Sequence, residues 1–175
     1  MKIHFEPATR ADLQTVMEIH TRAFAPESKE MGALLPGSDD LKWHRYMLKH
    51  HHYFKILADE KIVGTIVVED HGEGEYLLNT LCVDPKYQKR GIGKQAMAFI
   101  ETHFADAKKW SLNVTERNER NQKFYEALGY EKRGMVFYID PKNIEAWNPL
   151  FFYEKEMGRK KSKPRARRVK KTSAK

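Results

Sequence analysis

Three strand-like runs crowd into residues 53–83: YFKILA (53–58), IVGTIVVED (62–70) and YLLNTLCV (76–83). Only Asp59-Glu60-Lys61 separates the first two, so they read as an antiparallel hairpin, and a GEGE turn at 72–75 leads into the third. The periodicity then changes. Ile92, Ala96, Met97, Ile100 and Phe104 recur at helical spacing, and WSLNVT (110–115) returns to strand character. A hairpin followed by a strand, a helix and another strand specifies a mixed sheet, not a doubly wound parallel one.

The flanking segments complete an α+β order. Ile3–Glu6 reads as a short strand, and Asp12 to about Phe24 as a helix with Leu13, Val16, Met17, His20 and Phe24 on one face. On that stripe His20 is expected to pack as a core residue. Residues 25–39, APESKEMGALLPGSD, read as a loop long enough to serve as a substrate lid. Asp39 or Asp40 then caps a helix to about His50. Asn118–Leu128 reads as a helix stopped by Gly129, and 129–139 and 149–157 as strands. The predicted order is β-α-α-β-β-β-α-β-α-β-β, about seven strands without an internal repeat.

Composition bounds the function classes. A chain of 175 residues suits one domain. No run approaches the roughly 18 apolar residues of a membrane span, so no membrane partner is expected, and MKIHFEPATR is charged where a secretion signal is apolar. One cysteine, Cys82, excludes an internal disulfide and suits a reducing cytoplasm. The formal charge of +8 is concentrated at the end: GRKKSKPRARRVKKTSAK (158–175) holds ten cations and no acid. With those set aside, residues 1–157 carry 22 cations against 24 anions. The expected division is a folded domain over 1–157 and a disordered basic tail over 158–175. That tail either solubilises the chain or contacts RNA or the ribosome.

Between strand 76–83 and the next helix lies QKRGIGK (88–94). Glycine admits close backbone approach, and amides at a helix N-terminus converge on an anion. Lys89, Arg90 and Lys94 add positive potential. A Walker-type loop does not fit, because Gln95 stands where the magnesium-binding hydroxyl belongs. Gly91-Ile92-Gly93-Lys94-Gln95-Ala96 does match a dinucleotide fingerprint, with Glu116 at the distance of a ribose-binding acid. Against it, seven residues separate the strand from Gly91, and the preceding strands form a hairpin.

VDPKYQKRGIGK (83–94) resembles the acetyl-CoA-binding motif of the GNAT superfamily of N-acetyltransferases, Gln/Arg-x-x-Gly-x-Gly/Ala, with Gln88, Gly91 and Gly93 in its places. NERNQKFYEALGY (118–130) resembles the second family signature through Asn118, Tyr125, Gly129 and Tyr130. The opening FEPATRADLQTVMEIHTRAF also matches the family, so the resemblance covers about residues 3–157. It implies the acyl-CoA N-acyltransferase fold: a mixed central sheet with helices on both faces, splayed into a V between strands 76–83 and 110–115. Acetyl-CoA would be the co-substrate. Its pantetheine arm would run along Leu81, Cys82 and Val83 as an added strand does. Its pyrophosphate would rest on the amides of Lys89, Gly91, Gly93 and Lys94, with Gln88, Arg90 and Ile92 completing the cofactor-binding loop and Asn118 and Asn121 nearby. Asn121 departs from the small residue usual there. Asn118 also suits a helix N-cap.

The chemistry implied by the resemblance is direct attack of an amine on the thioester, with Tyr125 as the acid that protonates the departing thiolate. A backbone N–H near Val83 would stabilise the developing oxyanion. Cys82, with no evident histidine partner, reads as a buried strand residue and not as a nucleophile. A lysine-like amine must first lose a proton, at roughly 4–5 kcal/mol near neutrality. Strand 76–83 holds no carboxylate for that task, which leaves Glu75, Glu69, His71 and Glu30 as candidates. His50-His51-His52 does not converge on a metal if helical. Trp43, Trp110 and Trp147 read as core or cleft-wall aromatics, with Trp147 and the lid shaping the acceptor pocket.

The reading is an acetyl-CoA-dependent N-acetyltransferase acting on a small-molecule amine. The alternatives are a protein N-terminal or lysine acetyltransferase with a ribosomal target, or a noncatalytic CoA- or RNA-binding module. The family's tendency to dimerise allows a homodimer.

Overall fold

The computed structural model describes residues 1–32, 35, 37–140 and 143–158, without the side chains of 31, 138–140 and 143–147. Trp147 as a pocket wall and the disorder expected of the tail beyond Gly158 therefore lie outside the described residues. One seven-stranded sheet runs in the order β1-β2-β3-β4-β5-β7-β6. Its strands are β1 (Ile3–Pro7), β2 (His52–Ala58), β3 (Lys61–Asp70), β4 (Glu75–Val83), β5 (Lys109–Thr115), β6 (Glu131–Asp140) and β7 (Asn143–Glu156). Helices α1 (Leu13–Met31) and α2 (Leu41–His50) precede β2, while α3 (Ile92–His103) and α4 (Glu119–Ala127) flank β5. The expected element order holds throughout, with two short 3-10 turns added.

Alternation along the strands divides the core between two faces. Phe54, Ile56, Ile66 and Val68 pack with Ile92, Ala96, Met97 and Ile100 of α3. The intervening Tyr53 and Val67 turn the other way, toward Leu13 and Val16 of α1 and Met47 of α2. Period-2 strands between amphipathic helices give this sandwich directly. Trp110 and Tyr153 are wholly buried within the larger cluster.

Every sheet pairing is antiparallel except β4 with β5, which is parallel. That pair is bonded only from Glu75 opposite Lys109 to Leu78 opposite Leu112. Beyond it each strand keeps its outer neighbour: Thr80 still faces Val67, and Asn113 still faces Phe152. A register shift between Val67 and Val68 leaves Asn79 unpaired with β3, one residue past the last β4–β5 pair. A bulge bends and twists the strand that carries it. The expected V-shaped splay therefore opens where β4 bulges.

One expectation fails. Residues 25–31 are not loop: α1 runs through Pro26 to Met31 and ends at Gly32, whose φ of 67° is left-handed. An interior proline costs a helix about 3 kcal/mol, which makes Pro26 look like a break in the sequence. Tertiary bonds hold the extra turn. Thr115 and Asn118 donate to the Glu27 carboxylate, and Arg117 Nη1 donates to the Glu30 carbonyl at 2.7 Å. The lid expected over 25–39 begins, at the earliest, beyond Met31. α2 starts at the cap foreseen for it, with Asp40 accepting from the Lys42 amide at 2.8 Å.

Candidate active site

The wedge between β4 and β5 is a cavity of about 480 Å³, floored by Leu81, Cys82 and Val83 and walled by the loop after β4, α4 and the second half of α1. Asp84 shapes the loop. Its carboxylate accepts from the Lys86 amide at 3.0 Å, capping a 3-10 turn at Pro85–Tyr87. The chain then passes through Lys89 at φ 61° and Gly91 at φ 76°. A left-handed residue reverses direction in one step, easily for glycine and at some strain for lysine.

Gly91 is the N-cap of α3 and offers no side-chain cap. The first intrahelical bond joins the Gln95 amide to Gly91 O at 3.1 Å. The amides of Ile92, Gly93 and Lys94 thus have no acceptor among the described residues, and they open into the cavity with the helix dipole behind them. A Cβ at Gly93 would stand 3.4 Å from Phe124 Cζ across the gap, so the bare backbone keeps the passage open. Three free amides beside Lys89 and Lys94 suit a pyrophosphate.

Strand geometry equips the floor. The Asp84 amide donates to Val63 O, so alternation turns the backbone groups of Leu81 and Val83 toward the wedge. Gln88 Nε2 occupies the Val83 carbonyl at 2.9 Å. The motif glutamine thus braces the loop against β4, and Arg120 Nη1 approaches Gln88 Oε1 at 3.3 Å.

On the far wall, Asn118 caps α4: its Oδ1 accepts from the Asn121 amide at 3.0 Å while its Nδ2 donates to Glu27 Oε1 at 2.8 Å. Tyr125 is buried about two turns further along the same face of α4, and its hydroxyl donates to no acceptor among the described residues. Burial, and then the charge of Glu27, push the phenol well above its ordinary pKa and keep it protonated. Cys82 also touches the cavity, but its thiol is buried against Thr65 Oγ1 at 3.3 Å, and burial pushes it up to about 12. A thiolate nucleophile is disfavoured there.

Leu81, Cys82, Val83, Gln88, Lys89, Gly91, Ile92, Gly93, Lys94, Asn118, Asn121 and Tyr125 thus converge on one cavity. Arg90 does not line it. Its guanidinium turns away to the Lys86 carbonyl at 3.1 Å and lies over the Tyr87 ring. The model of the GNAT acetyltransferase family matches residues 13–130. The chain belongs to the GNAT family. It is an acetyltransferase, and acetyl-CoA is its co-substrate.

Among curated relatives of this GNAT enzyme, N-alpha-acetyltransferase RimI of Mycobacterium tuberculosis is 29% identical over 123 residues, 66% of this chain and 77% of that one. Solved structures agree on the fold at lower identity. PaiA N-acetyltransferase of Thermoplasma acidophilum, in complex with coenzyme A, aligns at TM-score 0.72 and 16% identity over 89% of this chain and 99% of that one. The ribosomal-protein-S18-alanine N-acetyltransferase of Escherichia coli aligns at TM-score 0.71 and 16% identity, over 87% and 92%.

The carboxylates and histidine named from sequence lie elsewhere. Glu75 pairs with Lys109 at 2.9 Å, at the closed end of the wedge. Glu69 accepts from Asn79 at 2.5 Å, with His71 3.5 Å from its other oxygen. Neither Glu69, His71 nor Glu30 lines the cavity. Glu27, which does, was hidden behind Pro26 in a segment that reads as loop. His50 ends α2, His51 is its C-cap and His52 begins β2. Trp110 packs in the core and Trp43 packs against His20 and His44. No helix among the described residues is long and apolar enough to cross a membrane.

Proposed function

We propose that this GNAT enzyme acetylates the α-amino group of a peptide or protein by direct attack on acetyl-CoA, without an acyl-enzyme. The carrying observation is the wedge itself, which among the described residues has free amides at one end, an unpartnered Tyr125 hydroxyl and no competent nucleophile. The amides of Ile92, Gly93 and Lys94 hold the pyrophosphate, with Lys89 and Lys94 adding charge. Backbone groups of Leu81 and Val83 align the pantetheine, and the Val83 N–H faces the thioester oxygen. Asn118 and Asn121 border the arm. Tyr125 donates its phenolic proton to the leaving sulfur.

Two features support a peptide acceptor over a small amine. The curated relative RimI is an N-alpha-acetyltransferase, and α-amines near pKa 8 are far easier to deprotonate than lysine. The catalytic unit is residues 1–157, working in the cytoplasm that the lone free cysteine suits.

The test is thiol release from acetyl-CoA with peptides bearing free N-termini, N-blocked peptides bearing one lysine, and polyamines. Turnover confined to free N-termini is expected. Turnover of polyamines alone would replace the acceptor class, and no turnover with any amine would replace catalysis with binding.

A further inference from the structure

Among the described residues the cavity contains one carboxylate, which the roles above leave unused. Glu27 lies on the last turns of α1, and its Oε1 is fixed by two donors, Thr115 Oγ1 at 2.6 Å and Asn118 Nδ2 at 2.8 Å. Those donors come from the end of β5 and the cap of α4, so two elements aim one side chain. Oε2 accepts from no donor among the described residues, and the residue borders the cavity that Tyr125 also faces. The other charged groups on that wall, Lys89, Lys94 and Arg120, form no ion pair with it among the described residues. A carboxylate held by one oxygen, with the other open to a ligand cavity, is arranged to receive a cation.

We propose that Glu27 receives the acceptor's ammonium group and takes the proton that frees the amine for attack. This rests on the acetyl-transfer reading above and supplies the base that reading lacks. The balance closes. The ammonium gives one proton to Glu27, which passes it to solvent. The neutral nitrogen forms the C–N bond with the acetyl carbon, and the C–S bond breaks. Tyr125 gives its proton to the sulfur and regains one from the second N–H lost by the nitrogen. The products are the amide, free coenzyme A and one proton.

Substitution separates this role from a structural one. Glu27→Gln retains an oxygen for Thr115 and Asn118, so a residue that only positions Asn118 tolerates it. A base does not. The variant is expected to bind acetyl-CoA like wild type in calorimetry and to lose about 100-fold or more in kcat/KM. Two further readouts should move with it: the acidic limb of the kcat/KM profile shifts to follow the acceptor amine's own pKa, and the defect shrinks for acceptor amines of low pKa, which arrive neutral. An active wild type with an equally active Glu27→Gln, or a variant whose pH profile is unchanged, overturns the proposal alone. A wild type that acetylates no amine overturns the underlying reading, and this inference with it.

Discussion

Arg22 Nη2 stands 2.8 Å from Asp84 Oδ2, joining the cavity-side stretch of α1 to the first residue of the loop after β4. Asp84 is nearly buried, and its other oxygen holds the Lys86 amide. Burial opposes ionisation there, but Arg22 and that amide outweigh it and hold the carboxyl below its usual range. The helix and the loop are thus fixed to each other on one side of the wedge.

Asp84→Asn should destabilise the fold by roughly 1–2 kcal/mol at pH 7, since Arg22 is about half exposed and part of the pair is screened. It should also weaken acetyl-CoA binding. The sign of the pH effect follows from the lowered folded pKa. The stabilisation is fully present above the unfolded value near 4 and drains as pH falls through the folded one. Urea midpoints for both proteins at pH 7 and pH 3 check this, and the gap between them must narrow at pH 3.

How much of this could be read from the residues varies by kind of interaction. The strands, α3, α4 and the glycine loop at the start of α3 were legible because period-2 and period-3.6 patterns and Gly91-Ile92-Gly93 act locally. The second half of α1 was not. Pro26 argues locally for a break, and the bonds that overrule it come from Thr115, Arg117 and Asn118, some 90 residues away in sequence. Glu27 was lost with that segment. Arg90 is a different case: its charge is legible in the sequence, but its direction, toward the Lys86 carbonyl and away from the cavity lining, depends on the fold of the loop.

His20 links to Thr65 Oγ1 at 2.7 Å and edges His44, with ring centroids 4.7 Å apart, in a wholly buried site. Burial, then His44, lower its pKa from 6.5 to about 3. The folded state therefore holds it neutral while the unfolded chain protonates it. Stability from this group is complete above pH 6.5 and is lost as pH falls toward 3, at about 1.4 kcal/mol per unit. Unfolding between pH 6 and 4 should show at least that slope. An imidazole resonance for His20 that titrates near 6 would contradict it.

The ten cations beyond Gly158 give the basic tail its own test. Truncation after Met157 should leave the melting temperature and peptide acetylation unchanged, because β7 ends at Glu156. Full-length protein should retain single-stranded RNA at low salt and release it steeply. With all ten cations engaged, the slope of log K against log salt approaches about −7. Equal retention by the truncated form would move the RNA contact into the folded domain, and no retention by either would leave the tail a solubilising segment.

Tyr125→Phe removes one oxygen from a ring that otherwise packs against Phe124 and Tyr130, so the fold and acetyl-CoA affinity should be kept. If the phenol protonates the leaving sulfur, kcat falls about 100-fold or more. The wild-type pH profile carries the sharper expectation. A general acid works only while protonated, and an ordinary phenol loses its proton near pH 10. Burial and the neighbouring Glu27 raise Tyr125 above that value, so kcat should hold through pH 10 without a falling limb from this residue. A fall in kcat centred near pH 9–10 that vanishes in Tyr125→Phe would show the phenol ionising as freely as in water. The closed, charged environment described for it would then be wrong.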